Sequence, residues 1–111
     1  MKRYFTLAAS ILCASASQVD AQGIEWAAKM RVTSIEATYV PGLIVFKGDK
    51  AAGNCPAGAA LRWDPYGTDA AYKAQNAQAI LAVLLTAKSS NQNLQLFGLN
   101  TNCVVTYMYL E

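Results

Sequence analysis

The sequence predicts an α+β fold that is mainly β, with five strands and one long helix between the third strand and the fourth. Three observations carry this prediction. Stretches rich in β-branched and aromatic residues alternate with turns that contain Pro or Gly in the first half of the chain. One later stretch is dominated by Ala, Gln, Leu and Lys, which favour helix. Two more β-type stretches follow it, so the predicted order is β-β-β-α-β-β.

The first strand is predicted over residues 29–39, where β-branched and aromatic residues alternate with polar ones. Its apolar residues change phase near Thr33-Ser34, and because successive strand residues point to opposite faces, this shift indicates a β-bulge. Pro41-Gly42 then turns the chain. Residues 43–46 and 59–63 are the second and third predicted strands, and a loop rich in Gly, Ala and Lys joins them.

The helix is predicted over residues 68–88, with Thr68 as its N-cap. At 3.6 residues per turn one broad face should cover the core. That face contains Ala70, Ala74, Ala77, Ile80, Leu81, Leu84 and Lys88. The last two strands are predicted at 94–99 and 103–110, with a hairpin loop between them. A five-stranded, partly open barrel with its helix between strands 3 and 4 is the OB-fold, and another small α+β sheet is the alternative.

The N-terminus is typical of a signal peptide. Lys2 and Arg3 give it a positive start, and residues 4–16 are apolar or small and carry no charge. This run has the length of a signal-peptide core and is too short to cross a bilayer as a helix. The sequence therefore predicts an exported protein, either periplasmic or secreted, with no membrane span after cleavage.

Cleavage is expected after Ala21, which ends a small-x-small pattern, and Ala16 is the second choice. The predicted organisation is a signal peptide at 1–21 and a single domain at 22–111. Cleavage there lowers Lys plus Arg from 9 to 7 and Asp plus Glu from 7 to 6. No basic run is left, so the charge pattern that nucleic-acid binding needs is missing.

Two of the three cysteines lie in the predicted mature domain, and Cys13 falls in the signal peptide. An even number of cysteines in an oxidising compartment favours a disulfide, here between Cys55 and Cys103. The alternative is two buried thiols.

The residues that most catalytic sites need are absent or scattered. The chain has no histidine, which excludes Ser-His and Cys-His catalysis and the usual zinc sites. Carboxylates remain, but none lies in a motif that would hold two of them across a cleft. They are Glu25, Glu36, Asp49, Asp64, Asp69 and Glu111. The sequence therefore predicts a protein that is not an enzyme and that uses no metal or cofactor.

Two surfaces indicate a binding partner. The helix face opposite the core is small or amide-bearing and uncharged, which allows another backbone to approach closely; helix propensity alone is the alternative. This candidate oligomer interface contains Ala71, Gln75, Gln78, Ala79, Ala82 and Thr86. The second surface is an aromatic group, Trp63, Tyr66 and Tyr72, close to Asp64. Aromatic faces beside carboxylates and amides suit sugar rings, although such residues also pack in cores and at helix caps.

These features together resemble the small secreted OB-fold B subunits of bacterial AB-type toxins, the subtilase-cytotoxin and pertussis-like groups in particular. The resemblance is carried by Cys55, the Trp63-x-Pro65 step, the helix from Asn76 to Ala87 and the returning strands with Cys103. It implies a non-enzymatic subunit that forms a ring of five, with helices lining the centre and glycan pockets on the barrel surface. Ser34 and Tyr39 on the first strand are further candidate ligand contacts, beside Trp63, Asp64 and Tyr66.

The leading hypothesis is thus an exported, oligomeric binding subunit that recognises a glycan or a partner protein. One alternative is a monomeric periplasmic or secreted inhibitor or stress protein. Its loop at 47–57, with Lys47, Asp49 and Lys50, would plug the cleft of a target. A hydrolase that uses Asp64 with Asp69, or Glu36, has the least support.

Overall fold

The computed structural model describes residues 23–111, so the predicted signal peptide lies outside the described residues. Five strands and one helix follow each other in the predicted order β-β-β-α-β-β, which confirms a mainly β, α+β fold. The elements are β1 (Trp26–Glu36), β2 (Ile44–Gly48), β3 (Leu61–Trp63), α1 (Ala70–Ser90), β4 (Asn93–Leu99), a 3-10 turn (Thr101–Cys103) and β5 (Val104–Leu110).

The five strands hydrogen-bond in the order β1-β2-β3-β5-β4. Since β1 pairs with β4 as well as with β2, the sheet closes on itself as a barrel. All neighbours are antiparallel except β3 and β5, which are parallel and meet only at Arg62 and Val104. A short β3 and a single parallel contact make this the weakest seam of the barrel, and the β3–α1 loop lies beside it.

The long first strand pairs with two other strands, and it contains a bulge. Residues Trp26 to Arg31 pair with β4, and Val32 to Glu36 pair with β2. The register on β2 shifts between Val32 and Ser34, which confirms the bulge predicted at Thr33-Ser34. An extra residue at this point bends the strand and increases its twist, which turns β1 from one side of the barrel to the other.

The interior of the barrel is filled by apolar side chains from every strand and from the helix. The largest completely buried ones are Phe46, Met30, Ile44, Leu84, Leu94, Leu96 and Val105. From α1, Ala77, Leu84 and Ala87 are buried, and Ile80 and Leu81 pack against the core. The predicted core face was too broad at its ends, because Ala70 and Lys88, in the first and last turns of the helix, are exposed.

The helix begins one residue later than predicted. Asp69, not Thr68, is the N-cap, and its carboxylate accepts a hydrogen bond of 3.0 Å from the Tyr72 N–H. A carboxylate is favoured there because it satisfies a free N–H and also interacts with the positive end of the helix dipole. At the other end Asn91 adopts the left-handed conformation, with φ 57°, and ends the helix.

The predicted disulfide is present and joins Cys55 to Cys103, with 6.1 Å between their Cα atoms. It ties the β2–β3 loop to the turn before β5. This turn is longer than the predicted hairpin loop, since Asn102 and Cys103 both have positive φ, 58° and 53°, and cannot continue a strand. The fifth strand therefore starts at Val104 instead of Cys103.

Candidate ligand-binding cleft

Asn76, in the second turn of α1, organises the surface between the helix and the β3–α1 loop. Its side-chain oxygen Oδ1 accepts two hydrogen bonds, from the Trp63 indole Nε1 at 2.8 Å and from the Tyr66 backbone N–H at 3.0 Å. Because both partners are donors, the amide orientation is determined. The Nδ2 group of Asn76 then carries two N–H donors that bond to no residue between 23 and 111.

The ring of Tyr66 is fixed at both ends. It packs edge-on against Trp63, with ring centroids 5.3 Å apart and planes at 85°. Its hydroxyl donates a 2.8 Å hydrogen bond to the Thr106 carbonyl of β5 and so bridges the weak β3–β5 seam. Partial burial, with smaller contributions from Tyr107 and Asp64, raises the pKa of the Tyr66 phenol. The hydroxyl therefore stays protonated and remains a donor through neutral and mildly alkaline pH.

Tyr66 and Asn76 line an open cleft of about 650 Å³, which we call the tyrosine cleft. This volume falls within the range of small-molecule sites. Its lining residues are Tyr66, Gly67, Thr68, Tyr72, Gln75 and Asn76, none of them charged. The rings of Tyr66 and Tyr72 are 51% and 59% exposed, so both offer an aromatic surface to a ligand.

Gly67 brings the loop against the helix at the base of this cleft. A Cβ atom at that position would lie 2.6 Å from the Lys73 backbone nitrogen and 2.7 Å from the Tyr72 Cβ. Such distances are impossible for real side chains, and a backbone atom cannot move aside cheaply. Only glycine allows this close approach, so the loop is held at the first turn of α1.

A second cleft of about 380 Å³ lies on the other side of the same segment, and we call it the proline cleft. Its lining residues are Pro41, Gly42, Asp64, Pro65, Ala70 and Lys73. The Asp64 carboxylate is oriented by Arg62, whose Nη2 lies 2.7 Å from Oδ1 and whose Nε donates to the same oxygen at 3.1 Å. This hydrogen bond and the charge of Asp64 raise the pKa of the Arg62 guanidinium.

The structure brings only some of the predicted ligand contacts together. Tyr66 lines the tyrosine cleft and Asp64 the proline cleft. Trp63 is only 3% exposed, so it supports Tyr66 and Asn76 from the core and has no surface for a ligand. Tyr39 is 53% exposed in the turn that carries Pro41 and Gly42 to the proline cleft, but does not line that cleft itself. Ser34 is exposed on β1 opposite Lys47 and lines neither cleft.

The helix face that was predicted to be an oligomer interface is exposed to solvent in the single chain. All six of its residues are exposed: Ala71, Gln75, Gln78, Ala79, Ala82 and Thr86. The sequence prediction left out Leu85, which is 52% exposed on the same side of α1. Between Lys73 and Lys88 the helix carries no charge. Gln75 lies at the border, because it also lines the tyrosine cleft.

The other candidate groups have structural partners. Asp69 caps the helix and Asp64 pairs with Arg62, so the two carboxylates are engaged separately. In the 47–57 loop, Asp49 accepts from the Arg31 N–H and the Asn54 N–H donates to the Asn100 side chain at 2.8 Å. Among residues 23–111, no group of three His, Cys, Asp or Glu residues could hold a metal ion.

Within the same residues, no helix has the length and the apolar character needed to cross a membrane. Comparisons of the chain with protein-family models, with curated proteins and with solved structures found no match.

Proposed function

We propose that this chain is an exported, non-enzymatic OB-fold protein that binds a glycan in the tyrosine cleft and assembles with copies of itself through α1. The observation that carries the proposal is the composition of that cleft: two exposed tyrosines, two side-chain amides and the hydroxyl of Thr68, without a charge. The resemblance to toxin B subunits agrees with it, since those proteins combine a small barrel with glycan pockets and a ring of subunits.

The strand pairing supports the finer fold assignment. In an OB-fold a five-stranded sheet curls into a partly open barrel, with the helix inserted between strands 3 and 4. Here β1 is shared between β2 and β4, and β3 meets β5 in parallel at one residue pair. The helix follows β3 and covers the barrel interior with Leu84. This arrangement favours the OB-fold over other small α+β sheets.

The chemistry of the tyrosine cleft favours a neutral sugar. The C–H face of a pyranose ring packs on an aromatic ring, and its hydroxyls need donors and acceptors around the edge. Asn76 supplies donors through its free Nδ2, while Gln75 and Thr68 supply both donors and acceptors. A charged ligand would find no counter-ion in this lining.

Replacement of Tyr72 by Ala is expected to weaken glycan binding at least tenfold, because one of the two stacking surfaces is lost. Tyr72 is exposed on the helix, so the variant should fold normally. The measurement is a neutral-glycan array on the wild type, then calorimetry with the best glycan on both proteins. Tyr109→Ala is the matched control, because Tyr109 is similarly exposed, at 54%, but lies on β5 outside the cleft. Equal losses in the two variants, or a silent array, would contradict a glycan site here.

Assembly through α1 makes a separate prediction. The native mass of the wild type, measured by light scattering after gel filtration, should correspond to about five subunits if the toxin-like ring forms. Ala79→Glu should reduce this mass to that of one subunit, since it puts a charge into the uncharged face, and the exposed position allows normal folding. Ala60→Glu introduces the same charge at an exposed loop position and should keep the oligomer. A monomeric wild type would refute assembly.

One observation favours a second function. The predicted 47–57 loop begins in the structure after β2 ends at Gly48, and most of its residues are exposed, although Ala52 and Cys55 are buried. The disulfide and the Asn54–Asn100 hydrogen bond hold it in place, as a loop that enters the cleft of another protein must be held. A monomeric protein that binds no glycan would fit this inhibitor function better than the leading proposal.

A further inference from the structure

The two clefts are neighbours that share one wall. Successive residues of the β3–α1 loop line them in turn, Asp64 and Pro65 the proline cleft, then Tyr66, Gly67 and Thr68 the tyrosine cleft. The first turns of α1 repeat the alternation, with Ala70 and Lys73 on one side and Tyr72, Gln75 and Asn76 on the other. A ligand longer than one sugar ring, bound in the tyrosine cleft, would therefore reach the proline cleft by crossing the loop at Tyr66-Gly67.

The proline cleft has a composition suited to a second sugar unit. Pro41 and Pro65 give it apolar surface, and Asp64 and Lys73 give it one hydrogen-bond acceptor group and one donor group. Arg62 holds the Asp64 carboxylate in place before a ligand arrives, which reduces the entropy lost on binding. The ammonium of Lys73 forms no ion pair within residues 23–111 and can donate to a hydroxyl. Because Asp64 already pairs with Arg62, the two charged side chains of the lining act toward a sugar hydroxyl as one hydrogen-bond acceptor and one donor.

We propose that the proline cleft is a second sugar subsite, and that the ligand is a neutral oligosaccharide of at least two units that crosses the loop at Tyr66-Gly67. This inference rests on the proposed glycan function of the tyrosine cleft and deepens it. The first unit stacks on Tyr66 and Tyr72, and the second binds Asp64 and Lys73 through its hydroxyls. The loop between them is held by Gly67 against the helix, so the two subsites keep a fixed spacing.

Calorimetry on the full chain, expressed with its leader, tests this inference. The probes are galactose, N-acetylglucosamine and mannose, with the disaccharides lactose, diacetylchitobiose and mannobiose. We expect at least one disaccharide to bind tenfold or more tightly than its monosaccharide. Lys73→Ala should remove this gain and leave monosaccharide binding unchanged. Lys88→Ala is the control, because Lys88 is the other exposed lysine of α1 and lies in its last turn, outside both clefts.

Asp64→Asn provides a second variant, which keeps the size of the side chain and removes its charge. It should also lower the disaccharide gain without changing monosaccharide binding. If sugars bind in a Tyr72-dependent way, but disaccharides gain nothing or keep their gain in Lys73→Ala, the second subsite is wrong and the glycan function remains. If no sugar binds at all, the glycan function fails and the subsite with it.

Discussion

Replacing Cys55 and Cys103 together with alanine is expected to lower the free energy of unfolding by about 4 kcal/mol on the chain-entropy model. The two cysteines are 48 residues apart in the sequence, so the bond closes a loop of roughly half the described domain in the unfolded chain. A domain of this size has only about 5–15 kcal/mol of stability in total. The bond also fixes the β2–β3 loop to the turn before β5, which no strand pairing holds.

The measurement is urea unfolding of the double variant and of the wild type, each with and without reductant. Reductant should lower the midpoint of the wild type to that of the variant and should leave the variant unchanged. Alanine is preferred to serine because Cys55 is buried, at 4% exposure, and a hydroxyl there would add a desolvation cost. A double variant that unfolds at the same midpoint as the oxidised wild type would show that the bond contributes no stability.

Features with a local cause could be predicted from the sequence. The phase change at Thr33-Ser34 is visible in the residues themselves, and the register shift between Val32 and Ser34 lies at that point. The disulfide followed from the predicted oxidising compartment and the even number of cysteines in the predicted domain, and the strand and helix order from composition. Each of these signals depends on a few consecutive residues or on the number of residues of one type. None of them requires knowledge of which distant segments meet.

Features that depend on three-dimensional neighbours were missed or misplaced. Trp63 has the sequence signature of a ligand contact, but on β3 it alternates with Arg62 and shares the buried face of the strand with Leu61, so its ring packs in the core. Asn76 does carry a sequence signal, since Asn is a poor helix former and its place inside an Ala-rich helix indicates a role other than helix formation. That role joins it to residues 10 and 13 positions earlier in the chain, Tyr66 and Trp63. The tyrosine cleft forms because these contacts hold the β3–α1 loop against the helix.

The choice of N-cap shows the same limit at short range. Thr68 and Asp69 are adjacent and both residue types cap helices well, so propensity does not separate them. The close approach of Gly67 to the first turn of α1 fixes where the chain enters the helix. Asp69 then caps, and Thr68 is left to line the tyrosine cleft.

Gly98→Ala is expected to destabilise the fold by about 3 kcal/mol, the upper part of the usual range for overpacking. Gly98 in β4 pairs with Trp26 of β1, beside the register shift between β4 and β5. A Cβ atom there would overlap the Val104 carbonyl oxygen and the Trp26 indole. The first is backbone within the sheet, and the second is a side chain only 6% exposed, so neither can move without opening the barrel.

Gly42→Ala is the matched control, because a Cβ atom at Gly42 would have only the Tyr39 carbonyl nearby, at an ordinary 3.4 Å. Its φ is not in the left-handed region, so added side-chain bulk should cost nothing and reduced freedom of the unfolded chain could add a few tenths of a kcal/mol. Urea unfolding compares the two variants, and near-UV circular dichroism reports the packing of the Trp26 ring. A Gly98→Ala protein with the wild-type midpoint and spectrum would mean that β4 and β5 can separate enough to admit a methyl group. The close packing of the Trp26 ring against Gly98 would then not be required for a stable barrel.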